Sequence, residues 1–170
     1  MKEKNLLYKG KVLDINLETA KLPNGKTVDL EIIRHPGGAC VLPLYDNKDI
    51  LMIRQYRHAA GGIIWEIPAG RIDDGEDALS CAARELEEEG GVRAGNIEKL
   101  GEFFTTPGFC TELLHIYLAT NLIPCGQKLE ADEYLEIERV AFNKAVDMVC
   151  QGEIKDSKTP RLQDSKTPRL

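Results

Sequence analysis

Three glutamates, Glu85, Glu88 and Glu89, stand at positions i, i+3 and i+4. On a helix that spacing puts them on one face, within reach of one another. Three carboxylates held together repel unless a cation or a partner offsets them. The adjacent Arg84 cannot neutralise all three. An oxygen-only donor set suits a hard divalent ion, Mg²⁺ or Mn²⁺, better than zinc. Mg²⁺ keeps several waters and uses its remaining positions for phosphate oxygens, which points to phosphoryl or pyrophosphate chemistry. A run such as Glu85-Leu-Glu-Glu-Glu89 is, by itself, no more than a solvated helix face. Its surroundings decide.

Gly70, five residues, Glu76, seven residues and then Arg84-Glu85-Leu86-x-Glu88-Glu89-x-Gly91-Val92 fill every specified position of the Nudix box. With ordinary residue usage, a chance match at seven fixed and two apolar positions is on the order of one in ten million. The chain therefore resembles the Nudix hydrolases, which cleave a nucleoside diphosphate linked to another moiety. The resemblance implies an α/β fold, a Nudix-type α/β/α sandwich with a mixed β-sheet. It also implies Mg²⁺ as cofactor, with Mn²⁺ able to substitute. Glu85, Glu88 and Glu89 match the metal-binding glutamates, and the backbone carbonyl of Ala69 would be a further ligand. Arg84 matches the arginine that orients the glutamates, and with Glu88 it belongs to the catalytic set. Glu76 matches the acid at the helix start, and Gly70 and Gly91 the loop and stop glycines.

The flanks resemble one branch of that family, the ADP-ribose pyrophosphatases. They are Arg54-Gln55-Tyr56-Arg57, Trp65-Glu-Ile-Pro-Ala-Gly70 and Thr106-Pro107-Gly108-Phe109. The resemblance implies substrate contacts from Arg54, Arg57, Glu66, Pro107 and Gly108. Arginine offers a planar fork of donors to phosphate oxygens, and Arg54 and Arg57 are expected to face the same side of their strand. Ordinary surface pairing is the other reading of that pair. Trp65 could stack on a base or fill the core, and Glu66 would face the opposite way, beside Ala69 and Gly70. In this branch a loop glutamate before the penultimate strand positions the attacking water. Glu133 is the candidate, with Glu130, Asp132 and Glu136 as alternatives and Glu136 on the strand itself. The implied reaction releases AMP and ribose 5-phosphate from ADP-ribose; GDP-mannose or another nucleoside diphosphate sugar is the alternative substrate. Members of the branch form homodimers through their N-terminal strands, so residues 11–33 are where such an exchange is expected. A binding module without turnover would usually have lost box glutamates, and this chain keeps them all.

The elements that must position these groups follow from patterning. Val12 to Leu22 and Thr27 to Ile33 flank Pro23-Asn24-Gly25 and read as a hairpin. Ala39–Tyr45 and Ile50–Ile53 flank Asp46-Asn47-Lys48-Asp49 and read as a second. A short strand covers Ile63 to Ile67. From Glu76 to Gly90 the apolar period becomes helical, with acids at its start and Gly90-Gly91 at its end. Strands resume over Ile97–Phe104, Leu113–Ala119 and Tyr134–Phe142, and a helix over Asn143–Cys150 is expected with Asn143 as its cap. The division is residues 1–36 as N-terminal antiparallel strands for dimerisation, 37–155 as the hydrolase domain, and 156–170 as a tail with no function assigned. In that tail Asp156-Ser-Lys-Thr-Pro-Arg-Leu162 recurs word for word as Asp164 to Leu170.

Composition narrows the partners. The 170 residues carry a net charge of −6. The acids in excess sit between Gly70 and Glu89, where eight face only Arg71 and Arg84. No basic patch points to nucleic acid or an anionic membrane, and no apolar run is long enough to span a bilayer. Five widely spaced cysteines without a CxxC pair read as free thiols in a reducing cytoplasm. His35, His58 and His115 lack metal spacing, and neither a Gly-x-Ser-x-Gly elbow nor a Walker loop is present.

Overall fold

The computed structural model describes residues 4–11, 13–129, 131 and 133–159. The first expected hairpin is formed by β2 (Asp14–Lys21) and β3 (Thr27–Ile33). Its turn places Gly25 at φ +84°, a left-handed conformation that costs glycine little. Upstream of that hairpin a further strand, β1 (Lys4–Lys9), pairs with β2, giving an antiparallel sheet in the order β1-β2-β3.

The second expected hairpin is only a turn. The Tyr45 carbonyl accepts from the Lys48 amide, the Tyr45 amide donates to Asp49, and one bridge joins Leu44 to Ile50. Beyond it β4 (Gly38–Pro43) and β5 (Asp49–Arg57) part into different sheets. The cause is burial on both faces: all of β4 is buried, and so are Ile50, Leu51, Met52 and Ile53 of β5. A strand apolar on both sides needs cover on both sides, which a two-stranded ribbon cannot supply. β4 lies parallel to β9 (Leu113–Pro124) in a mixed sheet of order β7-β4-β9-β8, with β7 at Ala69–Arg71 and β8 at Val92–Phe104. β5 is the centre of an antiparallel sheet between β10 (Leu135–Ala141) and β6 (Gly62–Glu66).

Two helices cover these sheets. α1 (Ala78–Glu88) is shorter than its apolar period suggests, because the Asp77 carboxylate caps it by accepting from the amides of Leu79 and Ser80 at 2.9 Å. Glu76 therefore lies just outside the helix. α2 (Phe142–Cys150) begins one residue before Asn143, with Ala141 in the cap position and no side-chain cap. The expected Asn143 cap is wrong because the Phe142 amide instead donates to the Lys48 carbonyl in the β4–β5 turn, at 3.1 Å. Alternate residues of β4 and β5 feed opposite cores. Ala39, Val41, Leu51 and Ile53 meet Cys81, Ala82 and Leu86 of α1. Cys40, Leu42, Ile50 and Met52 meet Ala145 and Met148 of α2. Burying a side chain such as Leu86 or Leu42 stabilises the fold by roughly 2 kcal/mol. The result is the helix–sheet–helix sandwich expected from the sequence. Among the described residues no helix is long and apolar enough to cross a membrane.

Candidate active site

The site is built where the short strand β7 meets the C-terminal half of α1. Pairing of β7 with β4, Ala39 opposite Gly70 and Cys40 opposite Ala69, fixes its backbone. The thiol of Cys81 donates to the carbonyls of Gly70 and Arg71 at 3.6 and 3.4 Å, tying β7 to α1. Burial pushes that thiol up to about 12, so it stays protonated. Gly70 is needed for close approach. A Cβ there would lie 1.7 Å from Glu85 Oε1 and 2.2 Å from its carboxyl carbon.

Glu85 and Glu89 are only 8% and 2% exposed. Burial raises the pKa of Glu85; Arg84 opposes the rise, while the charges of Glu88 and Glu133 add to it. Glu89 is raised to about 8, first by burial and then by the charges of Glu85 and Glu133, against the Ala69 amide and Arg57. That amide donates to Glu89 Oε2 at 2.8 Å. These carboxyls are held in an environment short of positive charge. Arg84 supplies part of what they lack. Its Nη1 donates to Glu85 at 2.6 Å and Glu88 at 3.0 Å, and its Nε and Nη2 grip Glu76 at 2.9 and 3.0 Å. With that bond first among its causes, the Glu76 carboxyl is lowered below the usual range. One arginine thus touches three acids of the box. Among the described residues no three acidic, histidine or cysteine side chains converge to clasp an ion as they stand. Arg84 lies between Glu85 and Glu88, and Glu89 turns to Ala69.

A second ionic group adjoins the first. Glu66, at the end of β6 and 1% exposed, accepts from Arg57 Nε at 2.8 Å and Nη2 at 3.0 Å. Lys158 donates to the same carboxylate and to Asp156 at 3.0 Å. Burial raises the Glu66 carboxyl, but Arg57 and Lys158 together outweigh it and leave the group below its ordinary value. The charge of Glu89 acts on Arg57, so this group and the α1 acids share one electrostatic environment. Lys158 was not anticipated as part of any site, having fallen in a tail with no function assigned. Its one faint signal is a short run of alternating charge, Lys155-Asp156-Ser157-Lys158, after the apolar Ile154.

The remaining sequence candidates divide. Arg54 and Arg57 do not face the same side. They are three positions apart on β5, and a strand alternates its faces with period two. Arg57 shares a face with Ile53, and so with Glu66 opposite it; Arg54 shares the other with Trp65 and Glu136. Arg54 lies 5.7 Å from the centre of the Trp65 ring and pairs with Glu136 at 3.3 Å and Glu138 at 3.7 Å. Gln55, on the Arg57 face, is buried, and its side-chain oxygen has no donor among the described residues. Glu133 is half-buried and close enough for its charge to act on both Glu85 and Glu89. Glu136 is on β10, as expected, while Glu130 and Asp132 lie outside the described residues. Pro107 and Gly108 are exposed, on a loop bonded to Ile33 and Glu112; none of those bonds reaches α1.

Residues 34–158 match the NUDIX domain family. The chain is 40% identical over 158 residues to the ADP-ribose pyrophosphatase of Bacillus subtilis (strain 168), across 92% of this chain and 85% of that protein. It is 33% identical over 176 residues to the GDP-mannose pyrophosphatase of Salmonella paratyphi B (strain ATCC BAA-1250 / SPB7), across 90% of each. Among solved structures, the crystal structure of an ADP compounds hydrolase matches with a TM-score of 0.79 and 20% identity, across 92% of this chain and 85% of that one. At that identity the likeness is one of fold.

Proposed function

The chain belongs to the Nudix hydrolase family, and from that membership we propose that it hydrolyses the pyrophosphate bond of ADP-ribose, with Mg²⁺, to AMP and ribose 5-phosphate. The observation that carries the reading is Gly70 closed against buried Glu85, beside buried Glu89 and an arginine that spans the box acids. An all-carboxylate and carbonyl donor set, with two of its acids raised by burial, fits a hard divalent cation. Glu85, Glu88, Glu89 and the Ala69 carbonyl would hold it, with Mn²⁺ as a substitute. When bound, it polarises the phosphorus centre and acidifies a water. The chain's own residues do the rest. Glu133 accepts the proton of the attacking water. Arg57, held in plane by Glu66, meets the diphosphate. Arg54 over Trp65 offers a flat face for the base. Pro107 and Gly108, on the resemblance of their loop to that branch, would line the outer side of the substrate site. Arg84 keeps the α1 carboxylates in register.

The substrate rests on the 40% identity to an ADP-ribose pyrophosphatase across nearly the whole chain. The 33% identity to a GDP-mannose pyrophosphatase supports the second reading. Incubation with Mg²⁺ and ADP-ribose is expected to yield AMP; its absence would sink the first reading, and GDP-mannose, ADP-glucose and NADH in parallel decide between branches. Binding without turnover would make the protein a nucleotide-binding module instead.

A homodimer completes the proposal. Among the described residues none of the β1-β2-β3 sheet joins either core, and Leu6, Leu7, Tyr8 and Leu30 are exposed. A three-stranded sheet needs a covered apolar face for stability, and a second copy provides it. A monomer by light scattering at micromolar concentration would count against it. The partner chemistry is that of a small nucleoside diphosphate sugar, with no nucleic acid or membrane. All five cysteines are free thiols, which suits a reducing cytoplasm.

A further inference from the structure

Lysine near a chain end is ordinarily solvated. Lys158 is not: its side chain is 14% exposed, and its ammonium lies between Glu66 and Asp156. The segment that delivers it is anchored on both sides. Ile154 is buried in the α2 core. Thr159, also buried, donates its amide to Asp156 Oδ2 at 3.2 Å and its hydroxyl to the same oxygen at 2.8 Å. Asp156 to Thr159 thus forms a closed turn that aims one ammonium at one carboxylate.

That carboxylate is the one that orients Arg57. Glu66 Oε1 takes Arg57 Nε, while Oε2 is shared between Arg57 Nη2 and Lys158. The paired edge fixes the guanidinium plane and leaves Nη1 outside the pair, on a side chain 42% exposed. Two cations and two anions balance within the group. Without Lys158, Arg57 would face two carboxylates alone. Glu66, buried and half-relieved, would hold the guanidinium differently, and the local charge would become negative where an anionic diphosphate must approach.

We infer that Lys158 is a positioning residue for substrate binding: through Glu66 it holds Arg57 in the orientation that receives the diphosphate. The inference rests on the reading of Arg57 as a phosphate contact. The specificity it serves is for the charged diphosphate common to nucleoside diphosphate sugars, whichever sugar is attached.

The test uses the full chain, steady-state kinetics with ADP-ribose and Mg²⁺, and a thermal melt for each variant. Asp164-Ser-Lys-Thr167 repeats the sequence of the first turn, so Lys166 is changed in every variant to keep it from substituting. For Lys158→Met with Lys166→Met, KM rises about tenfold while kcat stays within about twofold, the loss of part of one charge-assisted contact. Lys158→Arg with Lys166→Met restores KM to within about threefold, because the donor and charge return. Should the methionine variant fail to fold, Lys158→Gln with Lys166→Met is read the same way, with KM raised at least threefold. Arg57→Ala with Lys166→Met is the control for the underlying reading and is expected to raise KM at least as much. An unchanged KM in the Lys158 variants beside a raised KM in Arg57→Ala overturns the inference alone. An unchanged KM in Arg57→Ala overturns the reading of Arg57 and the inference with it. A fall in kcat and melting temperature that Arg does not rescue reduces Lys158 to a structural anchor and also overturns it.

Discussion

Replacing Gly70 by alanine separates the demands of folding from those of chemistry. The added Cβ would stand 1.7 Å from Glu85 Oε1, and real Cβ contacts are essentially never shorter than 3.0 Å, so that oxygen must retreat by at least 1.3 Å. The strand cannot yield instead, since Gly70 is paired with Ala39 on β4 and its carbonyl accepts from Cys81. The carboxylate can, being the far end of a flexible side chain, but only by leaving the 2.6 Å bond from Arg84. The stability cost is therefore at the low end of overpacking, about 1 kcal/mol, or roughly 2–4 °C in melting temperature for a chain this long. The catalytic cost is larger, because a displacement of about 1 Å in a positioned group reduces turnover by about a hundredfold. Melting by calorimetry and kcat with ADP-ribose check the two numbers separately. In Gly70→Ala with Glu85→Ala the added methyl has room, so the melting temperature recovers while turnover does not. Wild-type turnover in Gly70→Ala would refute the reasoning, since it would mean that the position of Glu85 does not matter.

Other expectations follow from the same contacts. Glu66→Gln leaves Arg57 and Lys158 facing a neutral amide in a buried place and destabilises the protein at pH 7 by about 3 kcal/mol. The wild-type carboxyl is lowered by folding, so its contribution is present above the unfolded pKa and is lost as pH falls through the folded one. Denaturant melts of the two proteins should therefore converge as pH falls below the ordinary glutamate value, and a constant gap would contradict the assignment. Arg84→Lys replaces three engaged nitrogens with one, so kcat is expected to fall about a hundredfold although charge is kept; activity within threefold of wild type would show that the fork is dispensable. Glu133→Gln should lower kcat by roughly a hundredfold or more with KM little changed, and an unaffected kcat would move the base to Glu130, Asp132 or Glu136.

Residues 70–92 were legible because their spacing is itself geometric. Glu85, Glu88 and Glu89 share a face on any helix, and Gly70 and Gly91 stand where close approach and a φ of +63° admit little else. The sandwich was legible through the resemblance those residues carry, and its central helix from the change of apolar period at Glu76. What escaped depends on contacts between distant segments. Ala39–Tyr45 and Ile50–Ile53 look like a hairpin locally, and only the parallel partner β9 and the two helices draw them into different sheets. Asn143 has the residue type of a cap, but the Lys48 carbonyl, nearly a hundred positions earlier, takes that role's place. The arginine pair failed on parity, because three steps along a strand reverse the face. Lys158 carried only the faint mark of an alternating-charge run; it matters through Glu66, 92 residues away.

The grip of Arg84 on Glu76, Glu85 and Glu88 bears on how the protein is made. In many small metalloproteins the ion supplies the free energy of folding, so the new polypeptide is unfolded until loaded. Here the chain provides its own guanidinium to quiet the acids that would otherwise repel. Biogenesis need not wait on ion supply. A chain leaving the ribosome can close α1 over β7 and become resistant to proteolysis before it ever carries a cation, and chelation should silence the enzyme without sending it to the unfolded pool.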